Sequence, residues 1–370
     1  MLASQVESRE FLFQLFDVLD TGALAARERY QAHSDSSLRA VVETFGRLSA
    51  GRSGAGDERA EALAGDSVGV VPEVILTLGN ALYETAGQQS RLFRTRSEDL
   101  IAAPMAASVS AWQDYRTLLT TLDMADLDAP ESADLRGRLL VAKSRSEAAL
   151  AMGLYGASLA EDVQSHPEAD QRANSERLLA FLEPLLAWWP RHAAWLTSVS
   201  LGRARDASQI PDPDESGRLA REFLGQRVWQ HQSHGLQLFL QSLQKDLEAA
   251  TTQDTQQWAL SLSETLQRAV KVTQGLGQGL QGGAGDRVLA NASRYLHLFG
   301  EMLAGWMWLQ QANAAARLLA EAGPGEESFC LGKLQAARYF FHWTLPEVAQ
   351  DLVLLQNQDT TCLDMRAGWF

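Results

Sequence analysis

Two imidazoles three residues apart, His231 and His234, sit in the stretch Gln226-Arg227-Val228-Trp229-Gln230-His231-Gln232-Ser233-His234-Gly235-Leu236-Gln237. An imidazole changes charge near neutral pH, so either is a candidate general base. On a regular helix this spacing places both on one face. Ser233 and Gln237 add a hydroxyl and an amide to the same segment. A base alone moves a proton; oxidising a carbon chain also needs a hydride acceptor, which no side chain provides. A metal would need further ligands, for which Glu301, His297 and His342 are present in the chain. Isolated helical histidines are more often surface or hydrogen-bonded core residues, so no metal site is expected. Nucleophilic catalysis has less to offer still. There is no Gly-x-Ser-x-Gly elbow, Cys330 has no activating pattern around it, and Cys330 and Cys362 fit neither a zinc pair nor a disulfide framework.

The elements that must carry these residues read as helices. Ala, Leu, Gln, Glu and Arg dominate, and β-branched runs between turn residues are almost absent. Phe11, Leu12, Leu15, Phe16 and Leu19 recur at three and four residues, one apolar stripe on a short helix over 8–20 that must dock on something. The glycine-rich segment 50–70 reads as a surface loop, followed by a helix from Pro72 to about Ala86 and another over 97–122. After the Asp-rich break from Met124 to Glu131, a long amphipathic helix is expected over about 133–164 with Asp134 in its early turns. His166-Pro167 ends it, because a residue before proline is pushed out of helical geometry. The next helix, with Glu168 and Asp170 near its start, carries Pro184 and Pro190, which imply kinks or an end near residue 190. A loop at Pro211-Asp212-Pro213-Asp214 precedes a helix over 215–249, and a further helix over 252–278 runs into a glycine-rich linker from Gly275 to Gly285. No phosphate-loop lysine follows those glycines, and a helix rather than a strand precedes them. Residues 286–321 form the most strongly patterned helix, with Val288, Ala292, Tyr295, Phe299, Leu303, Trp306, Leu309 and Ala316 on one broad face. Ala304 and Gly305 leave room for a neighbouring helix, Gly323-Pro324-Gly325 ends the run, and helices over about 326–356 break at Pro346.

Composition narrows the function classes. With 370 residues, 46% of them hydrophobic, the chain can bury a large core. A formal charge of −14 opposes nucleic acid as a partner. No apolar run reaches membrane-spanning length, and no basic segment followed by an apolar core opens the sequence, so an unexported, cytoplasmic protein without a transmembrane segment is expected.

Several stretches together resemble the acyl-CoA dehydrogenases, in particular the larger bacterial members with a C-terminal helical extension. They are Asn291 to Gly300, Gly305-Trp306, Gly332 to Phe341, Asp364-Met365 and Trp369-Phe370. Arg9 to Leu19, Gly56-Asp57 and Val71-Pro72 are similar to that subfamily's N-terminus, and Asp134-Leu135-Arg136, Leu139-Leu140, Lys143 and His166-Pro167 to the helices that open its bundle. The resemblance implies an all-α fold divided as 1–125, a reduced N-terminal helical region; 131–280, the C-terminal helical bundle; and 286–370, the helical extension. The family's middle β-barrel would be missing, since 90–130 holds no set of alternating strands.

The same resemblance sets the chemistry against expectation. Residues 229–237 look like the family's Ile-Tyr-Glu-Gly-Thr-Asn-Gly-Ile-Gln, whose glutamate removes the α-proton of the thioester; here His231 stands at the glutamate and Gln232 at the glycine after it. Ser233 falls where the family has a threonine near the flavin, a remnant of cofactor binding at most, and the arginine expected six residues before the base falls on Gly225. The flavin-contacting Gly-Gly-x-Gly turn, expected near 200–212, is replaced by Ser200 to Ala207 with the single glycine Gly202. No catalytic residue is therefore assigned beyond the vestigial base position His231, and no cofactor is expected. The expected protein is a pseudoenzyme that forms a homo-oligomer or pairs with an intact acyl-CoA dehydrogenase. Two alternatives remain: an FAD-dependent acyl-CoA dehydrogenase or half-site subunit, and a helical binder of acyl-CoA or fatty acid. The ten tryptophans serve core packing or partner surfaces equally well.

Overall fold

The computed structural model describes residues 9–27, 39, 115, 118–119, 122, 127–202 and 212–369. Every element among them is helical, which agrees with the all-α expectation. The loop over 50–70 and the helix over 72–86 lie outside the described residues, as do most of 90–130, for which the sequence predicts no barrel strands, and most of the helix over 97–122. The chain divides into two compact units, Met1–Glu176 with Ala193–Arg205, and Arg177–His192 with Asp206–Phe370.

In the first unit, helix α1 (Ala133–Ser165) is buried over most of its middle. It ends at His166, whose extended ψ of 130° precedes Pro167, as the proline requires. The N-terminal helical segment widens into a π-helix over Phe13–Val18. Phe11, Leu15 and Leu19 from its expected stripe pack on Leu150 and Leu154 of α1. The wide turns also bury Phe13 and Gln14, which a straight 3.6-residue period would have left off the stripe. Polar groups accompany this burial. Gln14 Nε2 donates to Glu10 Oε1 at 2.9 Å, and the Lys143 ammonium pairs with Glu147 four residues on. Burial alone would lower the Lys143 ammonium, but Glu147, Tyr115 and Glu10 outweigh it and hold it well above the usual lysine range.

Helix α2 (Ala169–Ser200) contributes residues to both units and runs on through Pro184 and Pro190, so of the two expectations there, kinks or an end near residue 190, the end does not occur. In the second unit follow α3 (Pro213–Gly225), α4 (Gln230–Glu248), α5 (Gln253–Gln281), the short α6 (Gly285–Leu289), α7 (Ala292–Leu319), α8 (Pro324–Tyr339) and α9 (Val348–Asn357). The Asp212 side chain caps α3 by accepting from the Asp214 amide at 3.0 Å, and Thr252 with Thr255 forms a reciprocal capping box on α5.

Three expectations need correction here. The helix over 215–249 is two helices, broken between Gly225 and Ser233. The glycine-rich linker is mostly helix: α5 continues through Gly275, Gly277 and Gly279, and only Gly282–Ala284 form a turn. Two of those glycines admit neighbours, since a Cβ on Gly277 would lie 2.8 Å from the Trp229 ring and one on Gly279 2.9 Å from Val288. Finally, α7 has no single apolar face. Every residue from Leu298 to Leu309 is buried, because α3, α5, α8 and α9 all pack around it. Gly305 does admit neighbours, with Leu262 and Phe340 3.2 and 3.3 Å from its Cβ position. Gly323-Pro324 opens α8 as N-cap and first turn, and Pro346 lies within a single 3-10 turn, Leu345–Glu347, between a π-turn, Phe340–Thr344, and α9.

Candidate functional site

The break between α3 and α4 is where the two imidazoles lie. The chain leaves α3 at Gly225, makes one 3-10 turn over Arg227–Trp229, and then turns left-handed for three consecutive residues: His231 (φ 50°), Gln232 (φ 59°) and Ser233 (φ 62°). None is glycine. Left-handed backbone costs an L-residue about 1–2 kcal/mol, so this turn stores roughly 3–6 kcal/mol that its surroundings must offset. The anchors stand on both sides. Before the turn, Val228 is buried, the Trp229 indole N–H donates to the Leu224 carbonyl at 2.6 Å, and its ring rests over Gly277. The Arg227 guanidinium donates to Glu222 at 2.7 and 2.9 Å and pairs with Glu183 at 3.1 Å. After the turn, Gly235 lies so close to α2 that a Cβ would stand 2.7 Å from Phe181 Cβ and 3.0 Å from the Arg177 carbonyl oxygen. Leu236 and Phe239 are buried beyond it, with Phe239 against Phe181, Phe299 and Trp306.

This geometry separates the two histidines. The left-handed turn intervenes, so His231 and His234 are not helical neighbours on one face, contrary to their spacing. His231 and Gln232 are exposed, Ser233 and His234 half-buried, and Gln237 exposed. An exposed imidazole works in bulk water and lacks the water-excluding walls that sharpen proton transfer from a weak carbon acid. At position 225 the likeness calls for an arginine, yet Gly225 presents no side chain, and a Cβ there would already stand 3.3 Å from Leu289 Cδ2. At 225 and 231 the chain thus lacks the arginine and the glutamate that the likeness calls for.

Of the residues considered for a metal, His297 and Glu301 stay together and His342 does not join them. His342 is exposed, and His297 and Glu301 lie near Asp351. Among the described residues no three His, Cys, Asp or Glu side chains gather as metal ligands. Sequence reasoning missed Asp351, a buried carboxylate that takes the His297 ring at 2.6 Å. Its one signal was an acid among the apolar positions of Val348-Ala349-Gln350-Asp351-Leu352. It also missed Asp246, which accepts from the Trp306 indole at 2.6 Å and from Gln310 at 2.8 Å, fastening α4 to α7.

Residues 239–366, from Phe239 in α4 to Arg366, match the family model described as acetyl-CoA dehydrogenase C-terminal like. The chain carries an acyl-CoA dehydrogenase-type C-terminal region. No curated protein matches the chain. The acyl-CoA dehydrogenase-type match begins just after the left-handed turn, so the base position at His231 rests on the likeness of residues 229–237. Within the matched region Phe299 and Trp306 pack against Phe239, Tyr295 packs on Phe299, and Tyr295 shares a 2.8 Å hydrogen bond with Thr273. Among the described residues, no helix is long and apolar enough to cross a membrane.

Proposed function

We propose that this chain is a non-catalytic acyl-CoA dehydrogenase-like protein that acts by assembling with a second copy of itself or with an intact acyl-CoA dehydrogenase. The observation that carries the reading is the His231 turn. The residue at the base position is an imidazole on an exposed, left-handed turn, where a thioester-deprotonating carboxylate would need a walled site. Gly225 supports it by offering nothing where the likeness expects a cation. Assembly is supported by the apolar groups the second unit leaves in solvent: Trp343 is 68% exposed while stacked on Tyr339, and Leu260 is 60% exposed. A helical surface that joins subunits can outlive a catalytic pocket, because packing tolerates substitution and chemistry does not.

The test is an absorbance spectrum of the purified chain, alone and co-expressed with acyl-CoA dehydrogenases of the same genome, with mass measured by light scattering on the same samples. A colourless homo-oligomer, or flavin found only in a mixed complex, is the expected result. Flavin bound by the chain alone, with acyl-CoA oxidation that His231→Ala abolishes, overturns the reading in favour of an enzyme.

A further inference from the structure

Within the second unit, two buried carboxylates converge on one imidazole. His297 Nδ1 lies 2.6 Å from Asp351 Oδ2, and its Nε2 lies 3.7 Å from Glu301 Oε1. The carboxylate side chains are 3% and 2% exposed. Arg294, on the same helix as His297, reaches Asp351 Oδ1 at 3.4 Å but is 56% exposed and so is only a weak counter-charge. From α2, His192 and Trp188 stand edge-on to the His297 ring at 6.0 and 6.1 Å and stack on each other at 4.7 Å. The elements packed on the preceding turn of α7 present uncharged groups, Phe223 from α3 and Thr273 from α5, both against Tyr295.

We propose that His297 is a pH-sensitive latch that fastens helix α9 to α7. A neutral ring with its proton on Nδ1 still bonds Asp351 but turns a lone pair towards Glu301, whereas the imidazolium offers N–H to both carboxylates. The latched arrangement therefore holds the proton more tightly than an opened one, in which a free imidazole titrates near ~6.5. The latch contributes fully below that value and is lost as pH rises through the value the latched ring adopts. Other ties between α9 and the chain before α7 do not titrate in this range: Arg287 donates to the Asn357 and Gln358 carbonyls, and Asn291 to the Asp359 carbonyl. What loosens on deprotonation is thus the body of α9, Val348 to Leu355, rather than its C-terminal end. Because His192 becomes a like charge when protonated, removing it should strengthen the latch.

The experiment is hydrogen exchange of the Leu352 and Leu355 amides in the full chain, expressed as protection factors at pH 5.5 and 8.5, alongside an NMR titration of the His297 ring. Protection in the native protein should fall several-fold over this interval. Asp351→Asn and His297→Gln should each flatten the dependence, while His342→Gln, on an exposed ring nearby in sequence, should keep it. Protection independent of pH in the native protein overturns the proposal, and so does an equal fall in His297→Gln. Should both variants fail to fold, the native titration still decides: a His297 midpoint above ~6.5 supports the latch, and one at or below ~6.5 overturns it.

Discussion

The left-handed turn at His231 is a place where side-chain type and backbone conformation disagree. Positive φ is the domain of glycine, and the position at which the acyl-CoA dehydrogenase likeness expects glycine is Gln232, at φ 59°. Replacing Gln232 by Gly should relieve part of the strain, less the entropy that glycine gains in the unfolded chain, for a net stabilisation of up to ~1 kcal/mol by denaturant unfolding. A loss of stability would show instead that the Gln232 side chain contributes contacts that outweigh the strain. Gly277→Ala tests the anchor from the other side. Its new methyl would stand 2.8 Å from the Trp229 ring, and overpacking of this kind costs about 1–3 kcal/mol. Trp229 would then move, so a change in its fluorescence should accompany the destabilisation. The candidate residues were legible from their types. The turn was not, because left-handed backbone is written in sequence chiefly as Gly or Asn, and His-Gln-Ser carries neither.

At the scale of elements, the order of helices from Ala133 to Asn357 was legible because proline, capping aspartates and apolar period act locally. The failures share a cause, which is that tertiary packing overrides local preference. Gly275, Gly277 and Gly279 read as a linker but sit inside α5, where Gly277 and Gly279 make room for Trp229 and Val288. Pro184 and Pro190 stay within α2, whose Trp189 and Leu185 are fully buried. A charged pair largely covered by packing, with Lys143 half-buried and Glu147 buried, is costly to disturb. Lys143→Met would remove the ammonium that pairs with the Glu147 carboxylate, which is 3% exposed. That substitution should destabilise the first unit by about 3 kcal/mol, whereas replacing Lys143 and Glu147 together by Met and Leu should cost less than Lys143→Met alone. Equal losses for the single and double variants, read from unfolding curves, would refute a buried pair.

Across the whole molecule, both units carry a group that ties stability to high pH. In the first, Lys143 is held above its usual range against the pull of burial, chiefly by Glu147. In the second, burial pushes the Tyr295 phenol up and outweighs the opposing hydrogen bond with Thr273. The lysine's raised value means that its contribution is complete below its unfolded value of about 10.4 and is lost as pH climbs from there towards the folded value. The tyrosine points the same way by a different route. The unfolded phenol ionises above about 10 while the folded one stays neutral, so rising pH draws the equilibrium towards the unfolded chain. Stability should therefore change little through these groups between pH 7 and 9.5 and fall steeply above about 10. Tyr295→Phe should lose about 1 kcal/mol at neutral pH with the Thr273 hydrogen bond, yet fall less steeply above pH 10. Denaturant midpoints from pH 7 to 11 for the native chain and Tyr295→Phe decide it: parallel curves would mean that Tyr295 ionises in the folded protein as freely as in the unfolded one.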